Sequence, residues 1–229
     1  PDIYLLNILE KAMEIRYSPG SRKFFHFHNM YHLYLRYMRQ QLDTITVVPG
    51  LRQLPERYHK RGLSTSYVGQ AGENIGELIY DDRVRNRVNE WFKLLEIPYE
   101  IKSTLKDNYY YITMRPAGEK YYISYRDVGL GYSLSLAFLL TCLIEENKTI
   151  LIEEPEVHLH PKLQADVMDL MLYSSIERGN QFIVETHSEN MLLRGQKCIR
   201  RGYSKLKGSK KSIPVTSRNL GINNIYREK

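Results

Sequence analysis

The spacing of apolar residues predicts several helices and one strand in the first part of the chain. Apolar side chains recur at helical spacing over residues 3–15 and 30–42, and again from Asn74 to Leu95. The β-branched run 44–48 ends at a Pro-Gly pair, which predicts a buried strand leading into a loop. This part of the chain is therefore expected to be mainly helical.

The period of the pattern changes after residue 99. Tyr109–Met114 and Tyr121–Tyr125 are β-rich runs separated by Pro-Ala-Gly, which favours a hairpin. From there helices and strands alternate, which is typical of parallel strands joined by helical crossovers. The predicted elements are a helix over 132–146, a strand over 149–153, a helix over 161–177, a strand over 181–185, a helix over 189–200, a mobile loop over 202–214 and a last strand near 222–227.

Composition narrows the class of protein. Lys and Arg number 33 against 26 Asp and Glu, a net charge of +7, and hydrophobic residues make up 42% of the 229, enough for a core. No apolar run reaches the roughly 20 residues of a membrane span, and two cysteines are too few for a disulfide framework. We therefore expect a basic α/β protein of the cytoplasm. Because it begins at Pro1 rather than Met, we expect the chain to be part of a longer protein.

Candidate chemistry begins where a predicted strand ends. The apolar run 149–152 stops at Glu153 and Glu154, and the carboxyl ends of parallel strands are where α/β sheets bind ligands. Consecutive strand residues point to opposite faces, so the two carboxylates would have different roles. The alternative is that these acids simply end a strand and begin a loop.

Two further features stand in a fixed order around this acidic pair. Upstream, Gly129, Gly131 and Ser133 lie at a predicted helix N-terminus, where backbone N–H groups and the helix dipole can hold a phosphate. Downstream, the strand over 181–185 is followed by His187, which brings an imidazole to the same edge of the sheet. The three features together are more informative than any one of them alone.

At this point the sequence resembles a known family. The run 150–161 (ILIEEPEVHLHP) and the run 182–188 (FIVETHS) are similar to the C-terminal half of prokaryotic ABC-type ATPases. The resemblance is to the overcoming-lysogenisation-defect (OLD) group and its AAA_15/AAA_21-type allies, including the phage-defence ATPases of Septu and PARIS systems, and more loosely to RecF and SMC ATPases. It covers residues 127–192 and extends upstream to about residue 46.

The resemblance implies roles for the residues at the sheet edge. Glu153 matches the Walker B acid that holds Mg²⁺, usually through water, and Glu154 matches the general base that activates the attacking water. His187 matches the histidine that senses the γ-phosphate of ATP. The implied ligands of the site are therefore ATP and Mg²⁺.

Other matched residues imply a dimer. Gly129, Gly131 and Ser133 match the signature motif, which reaches across a dimer to the ATP of the other subunit. Residues 155–161 match the D-loop, a contact between subunits. The expected contact residues there are Pro155, Glu156, His158 and His160.

The chain departs from the family pattern in three ways. Glu153 stands where Asp is usual, and Leu134 follows Ser133 where Gly or Gln is usual, although Leu cannot hydrogen-bond a phosphate. No GxxxxGK[ST] phosphate-binding loop (Walker A) occurs in the 229 residues. We expect that loop to lie upstream of Pro1; the alternative is that the protein never had one.

The implied fold is an α/β P-loop NTPase core of the ABC type, with a parallel sheet, a helical lid and a β-hairpin insertion. A helical segment over 1–45 precedes the ATPase lobe over 46–229. Within the lobe we expect the lid over 74–97, the hairpin over 99–126, the core with the signature, Walker B and histidine motifs over 127–200, and a basic loop with a last strand over 201–229.

The implied function is ATP hydrolysis by a homodimer or higher oligomer, coupled to nucleic-acid sensing or effector control in prokaryotic anti-phage defence. The expected partners are an effector or nuclease and DNA or RNA, with no membrane. The alternative is a non-hydrolysing scaffold or a nucleic-acid-binding subunit of a defence or repair complex.

Basic residues near the end of the chain are candidates for contact with phosphate backbones. The alternative is that these residues belong to a solvated loop. The candidates are Arg200, Arg201, Lys205, Lys207, Lys210 and Lys211.

Three histidines stand close in sequence, at His26, His28 and His32. On a strand, His26 and His28 would share a face, as metal ligands can. No carboxylate or Cys accompanies them, and the flanking aromatic residues favour packing instead.

Overall fold

The computed structural model describes residues 22–50, 55–62, 67–69, 72–205 and 212–221. The chain divides into two units, residues 1–44 and 45–229. The predicted helix over 3–15, the predicted strand over 222–227 and three of the basic candidates lie outside the described residues. Those three are Lys207, Lys210 and Lys211.

In the first unit the described element is one helix, α1, over Arg22–Leu42. It confirms the helix predicted over 30–42 and begins earlier than expected. The strand assumed for His26 and His28 was wrong, because both lie in α1. Residues two apart do not share a helix face, so the metal-site interpretation loses its geometric basis.

The second unit contains the remaining elements. In chain order they are β1 Ile45–Val48, β2 His59–Lys60, α2 Ile75–Tyr80, α3 Asp82–Leu94, β3 Tyr99–Lys106, β4 Tyr109–Pro116, β5 Ile123–Ser124, α4 Leu130–Ile144, β6 Thr149–Glu153, α5 Pro161–Arg178, β7 Gln181–Glu185, α6 Glu189–Arg201, β8 Tyr203–Ser204 and β9 Ile213–Pro214. None of the described helices is long and apolar enough to cross a membrane.

A parallel sheet of order β1-β6-β7 forms the base of the site. The strands predicted over 149–153 and 181–185 are confirmed with the same bounds, and they pair in register from Thr149↔Gln181 to Glu153↔Glu185. The flanking helices α4, α5 and α6 begin and end within two residues of their predicted bounds. The alternation of apolar strands and helices therefore predicted this part of the fold correctly.

The two faces of this sheet differ in burial. Ile150 and Ile152 belong to the same hydrophobic core as residues of α4 and α5, with Phe182 and Val184 packed against it. On the opposite face, Ile183 leaves 57% of its surface exposed. Parallel sheets are normally covered on both faces.

A second sheet, antiparallel, has the order β2-β4-β3, and β5 also pairs with β4. The predicted pairing of the two β-rich runs is confirmed, with Thr113 opposite Ser124. The longer hairpin is nevertheless β3–β4, joined by Asp107 and Asn108, whose φ angles are +50° and +64°. Positive φ at both turn residues is typical of a two-residue type I′ hairpin turn.

The helical stretch that the sequence pattern predicted from Asn74 to Leu95 is divided into two helices, α2 and α3. Asp81 adopts an extended conformation between α2 and α3, and its Oδ1 accepts hydrogen bonds from the backbone N–H groups of Arg83 (2.8 Å) and Val84 (3.4 Å). These bonds, above all the one from Arg83, hold the pKa of Asp81 below its usual value. Val88, Trp91, Phe92 and Leu95, which follow helical spacing in the sequence, are all buried.

A buried polar cluster joins α5, α6 and β8. Asp169, with a fully buried side chain, accepts hydrogen bonds from Arg194 Nε (2.9 Å) and Ser204 Oγ (2.6 Å). The Cys198 thiol lies 3.6 Å from the same carboxylate. Arg194 therefore forms an internal ion pair with Asp169.

Candidate active site

The site is built where β6 and β7 end side by side. Glu154 follows β6 with φ +42°, a left-handed conformation that is costly for a residue other than glycine. Its backbone N–H donates a 2.8 Å hydrogen bond to the carbonyl of Glu185, which lies at the end of β7. This bond joins the turn after β6 to the end of β7.

The turn brings together two of the residues predicted from sequence. Glu154 Oε1 lies 3.7 Å from His187 Nε2, and both side chains are open to solvent. At this separation the two groups can contact the same water molecule, with the carboxylate as acceptor and the imidazole as donor. The predicted placement of His187 beside the acidic pair is therefore confirmed.

The Glu153 side chain contacts the loop that follows β1. Its Oε2 accepts a 3.1 Å hydrogen bond from the backbone N–H of Gly50. A Cβ at Gly50 would lie 3.3 Å from Glu153 Cβ, so a glycine there allows this close approach. The two carboxylates of the pair thus have different environments. The cause is not the predicted strand alternation, because Glu153 ends β6 and Glu154 lies in the turn that follows it.

Glu156 has a contact within the chain. Only 8% of its surface is exposed, and its Oε1 accepts a 2.7 Å hydrogen bond from the backbone N–H of His187. Its Oε2 has no hydrogen-bond partner within the described part of the chain. The segment after Glu154 is therefore tied directly to the backbone that carries the histidine.

The rest of this segment leads into α5. Pro155 is buried, and His158 is exposed with φ +63°. His160 caps α5, because its Nδ1 accepts a 3.3 Å hydrogen bond from the backbone N–H of Lys162. The predicted contact residues thus form one continuous turn between β6 and α5.

The glycine-serine motif lies at the N-terminus of α4, as predicted. Gly129 is the N-cap residue, and Gly131 packs so closely that a Cβ there would lie 2.3 Å from the carbonyl oxygen of His158. Ser133 is buried, with 4% of its surface exposed. Leu134 lies within α4, and the structure describes its backbone only. This helix end therefore packs against the turn that contains His158.

An open cleft of about 530 Å³ lies at this edge of the sheet. Gln164 and Ser188 are polar residues of the cleft that the sequence analysis missed; Ser188 Oγ donates a 2.8 Å hydrogen bond to Gln164 Oε1. Ser188 is also the N-cap of α6, a signal that the sequence does carry. The residues lining the cleft are Glu154, Glu156, Val157, His158, Gln164, His187, Ser188, Glu189 and Asn190.

The donor set at the strand ends suits Mg²⁺. Glu153 lies in register with Glu185 on the neighbouring strand, so two carboxylates stand side by side. Mg²⁺ prefers oxygen ligands, and it usually takes one or two carboxylates together with waters and substrate phosphates. Within the described ranges no group of three or more His, Cys, Asp or Glu side chains is placed to hold a metal ion.

The basic candidates that the structure describes are not among the residues that line this cleft. Arg200 and Arg201 are exposed in the last turn of α6, and Lys205 is exposed just after β8.

The fold and the site define an α/β protein with acidic and imidazole side chains gathered at the carboxyl ends of a parallel sheet. A family profile described as "AAA domain, putative AbiEii toxin, Type IV TA system" (AAA_21) matches residues 8–193, most of the chain. The chain belongs to this family of P-loop ATPase domains.

Solved structures of SMC proteins are similar at low identity. An SMC ATPase from a study of ATP-driven dimerization and DNA stimulated activation has a TM-score of 0.42 and 21% identity, over 64% of this chain and 88% of that one. The Smc head of Pyrococcus furiosus bound to the C-terminal domain of ScpA has a TM-score of 0.39 and 23% identity, over 48% of this chain and 29% of that one. An SmcHead bound to the C-winged helix domain of ScpA has a TM-score of 0.41 and 21% identity, over 64% of this chain and 45% of that one. Among curated proteins, no match to the chain is found.

Proposed function

We propose that the protein is an ATP-hydrolysing subunit of the ABC type that dimerises around ATP. The observation that carries the proposal is the 3.7 Å approach of Glu154 Oε1 to His187 Nε2 at the ends of adjacent parallel strands. General bases and phosphate-sensing groups need this kind of placement, within reach of one water and one phosphate oxygen.

Each residue at the sheet edge has a role in this proposal. Glu154 orients the attacking water and accepts its proton, and His187 donates a hydrogen bond to the γ-phosphate. Glu153 holds Mg²⁺ through water, with Glu185 beside it as a second oxygen donor. The metal supplies charge neutralisation on the phosphates when it is bound.

The dimer is the second part of the proposal. The N-terminus of α4, with Gly129, Gly131 and Ser133, contacts the ATP of the other subunit, and the turn from Pro155 to His160 contacts that subunit directly. The close packing of Gly131 on the carbonyl of His158 supports a joint movement of these two surfaces. The positive end of the α4 dipole favours a phosphate there.

A complete ATP site also needs a phosphate-binding loop. We propose that a further segment carrying this loop covers the sheet face on which Ile183 is exposed. Its support is the rule that parallel sheets are covered on both faces, together with the 57% exposure of Ile183.

We propose prokaryotic anti-phage defence as the cellular setting, with an effector or nuclease as the partner and DNA or RNA as the trigger. The AbiEii toxin and type IV toxin–antitoxin systems in the family description support this setting. The exposed Arg200, Arg201 and Lys205 are candidates for contact with a phosphate backbone.

One set of observations favours a second function, a non-hydrolysing scaffold. Ser133 is buried rather than presented to a ligand, and the Glu153 carboxylate already accepts a hydrogen bond from Gly50. In a scaffold, the same turn contacts would hold subunits together without turnover.

Steady-state ATP turnover in the full-length protein separates the two functions. The proposal predicts that Glu154→Gln lowers kcat by roughly a hundredfold or more, as expected for loss of a general base, and that Glu90→Gln, an exposed change on α3, leaves kcat unchanged. Absent turnover in the parent, or equal turnover in both variants, would support the scaffold instead.

A further inference from the structure

The outward face of the antiparallel sheet combines tyrosines with basic residues. Strand alternation buries Ile101, Tyr110 and Ile112 on the inner face. The opposite face therefore carries the other set of side chains. These are Lys60 from β2, Tyr109, Tyr111, Thr113 and Arg115 from β4, and Glu100, Lys102, Thr104 and Lys106 from β3.

Three tyrosines form a cluster on this face. Tyr58, which directly precedes β2 and is 50% exposed, meets Tyr109 edge to face with ring centroids 5.1 Å apart. The ring of Tyr111 lies 6.2 Å from the same Tyr58 ring. Tyr109 and Tyr111 are half-buried, so each of the three rings keeps part of its surface open to solvent. A contiguous patch of this kind can mark a binding surface.

Lysines flank the tyrosine cluster across the strands. Tyr109 pairs with Lys60 on one side and with Lys106 on the other, so a ring lies between two cations in one row of the sheet. Further along, Lys102 Nζ lies 5.9 Å from the centroid of the exposed Tyr122 ring.

The charge on this face is predominantly positive. The acidic residue of the outward rows, Glu100, is paired with Arg115. The lysines at positions 60, 102 and 106 are all exposed. A ligand that carries regularly spaced negative charges would therefore complement this face.

The chemistry favours single-stranded nucleic acid over other ligands. Unpaired bases stack on aromatic rings while their phosphates meet nearby cations, whereas a duplex hides its base faces. Lysine is depleted from the centres of protein–protein interfaces, which disfavours a protein partner. The six-residue step along β4 from Tyr109 to Arg115 is about 20 Å long, enough for roughly four nucleotides.

We propose that the outward face of the β2-β4-β3 sheet, centred on Tyr58, Tyr109 and Tyr111, binds single-stranded DNA or RNA. This surface is different from the basic candidates at 200–211. The inference rests on the proposed function only for its coupling to ATP, because binding itself needs no nucleotide.

The test is fluorescence anisotropy with labelled 20-nucleotide oligo(dT) and oligo(rU), and with a matched DNA duplex, on the full-length protein without ATP. The Tyr109→Ala/Tyr111→Ala variant is expected to bind single strands at least tenfold more weakly, since each stacked base contributes strongly to affinity. The matched Tyr109→Phe/Tyr111→Phe variant keeps both rings and is expected to bind within about twofold of the parent.

A second variant tests the cations without touching the tyrosines. Lys60→Ala/Lys106→Ala is expected to reduce the slope of log affinity against log salt by about 1.4, for two lost phosphate contacts on a single strand. Emission from Trp91, the protein's single tryptophan and a core residue, verifies that each variant is folded.

Several results would overturn this inference: no binding by the parent, equal binding by the Ala and Phe variants, or equally tight binding of the duplex. If only the Arg200→Ala/Arg201→Ala variant lost oligonucleotide binding, the binding surface would lie at the end of α6 instead. Glu154→Gln is expected to bind oligonucleotide like the parent. Because oligonucleotide binding is measured without ATP, a failure of ATP turnover and a failure of this surface to bind give different results.

Discussion

The backbone N–H of His187 donates its hydrogen bond to a buried carboxylate, Glu156 Oε1, at 2.7 Å. Glu156 lies two residues after Glu154, so one short turn carries both the proposed general base and the group that positions the histidine. A displacement of that turn would reach both partners of the Glu154–His187 pair.

Substitution of Glu156 tests this positioning role. Glu156→Ala removes the acceptor of the His187 N–H and is expected to lower the kcat of ATP hydrolysis by roughly tenfold, since small displacements of reacting groups are costly. Glu156→Gln retains an oxygen acceptor and is expected to stay within about threefold of the parent. Equal kcat in the Ala and Gln variants would contradict the role.

A glycine pair at the start of α4 offers a matched comparison of stability. Gly131→Ala places a Cβ against the His158 carbonyl and is expected to lower the free energy of unfolding by about 1–3 kcal/mol, as overpacking does. At Gly129 the nearest atom to an added Cβ is 3.6 Å away on a tyrosine ring, so Gly129→Ala should be tolerated. Urea denaturation measures both; equal stabilities would show that the contact with His158 is not tight.

The ion pair of Asp169 with Arg194 is expected to be structural. Arg194→Ala leaves a fully buried carboxylate without its cation, and the expected loss in free energy of unfolding is about 3–5 kcal/mol. Arg200→Ala, an exposed change six residues later on α6, should cost less than about 0.5 kcal/mol. Similar denaturant midpoints for the two variants would refute this assignment.

The half-buried Asp166 predicts a dependence of stability on pH. Burial, and then the charge of Asp169, raise the pKa of Asp166 from 3.8 to about 6. The folded state therefore holds this proton more tightly than the unfolded state, and stability falls as pH rises between these two values. Above pH 6 Asp166 is ionised in both states, and the loss in free energy of unfolding reaches its full value, about 1 kcal/mol once solvent screening is considered.

Asp166→Asn removes this cost and should gain stability relative to the parent as pH rises from 4 to 7. Thermal unfolding at several pH values measures the difference. Glu90→Gln, at an exposed position on α3, is the control and should show a difference that does not change with pH. A constant difference for Asp166→Asn as well would refute the raised pKa.

The sequence predicted the parallel core well because its signals are local. The run 149–152 is apolar and stops at charge, and the run 181–184 does the same, so bounds and neighbours both follow from pattern. The place of His187 beside Glu154 follows from strand adjacency alone.

What the sequence could not predict depends on contacts between distant segments or on turn chemistry. The bond from Gly50 to Glu153 and the packing of Gly131 on His158 join residues far apart in the chain. The break at Asp81 was missed because apolar spacing continues through it, although Asp is a strong N-cap residue. The β3–β4 hairpin was missed because Asp107-Asn108 is a weaker turn signal than the Pro-Ala-Gly that follows β4.

In the proposed mechanism Glu154 activates water in an ATP-bound dimer. Light scattering of the full-length Glu154→Gln variant, with and without ATP and Mg²⁺, measures both the dimer and its dependence on hydrolysis. We expect this variant to double its mass with ATP and to stay dimeric, while the parent returns to its starting mass as ATP is consumed. A Glu154→Gln variant whose mass is unchanged by ATP, or that consumes ATP at the parent's rate, would contradict the claim.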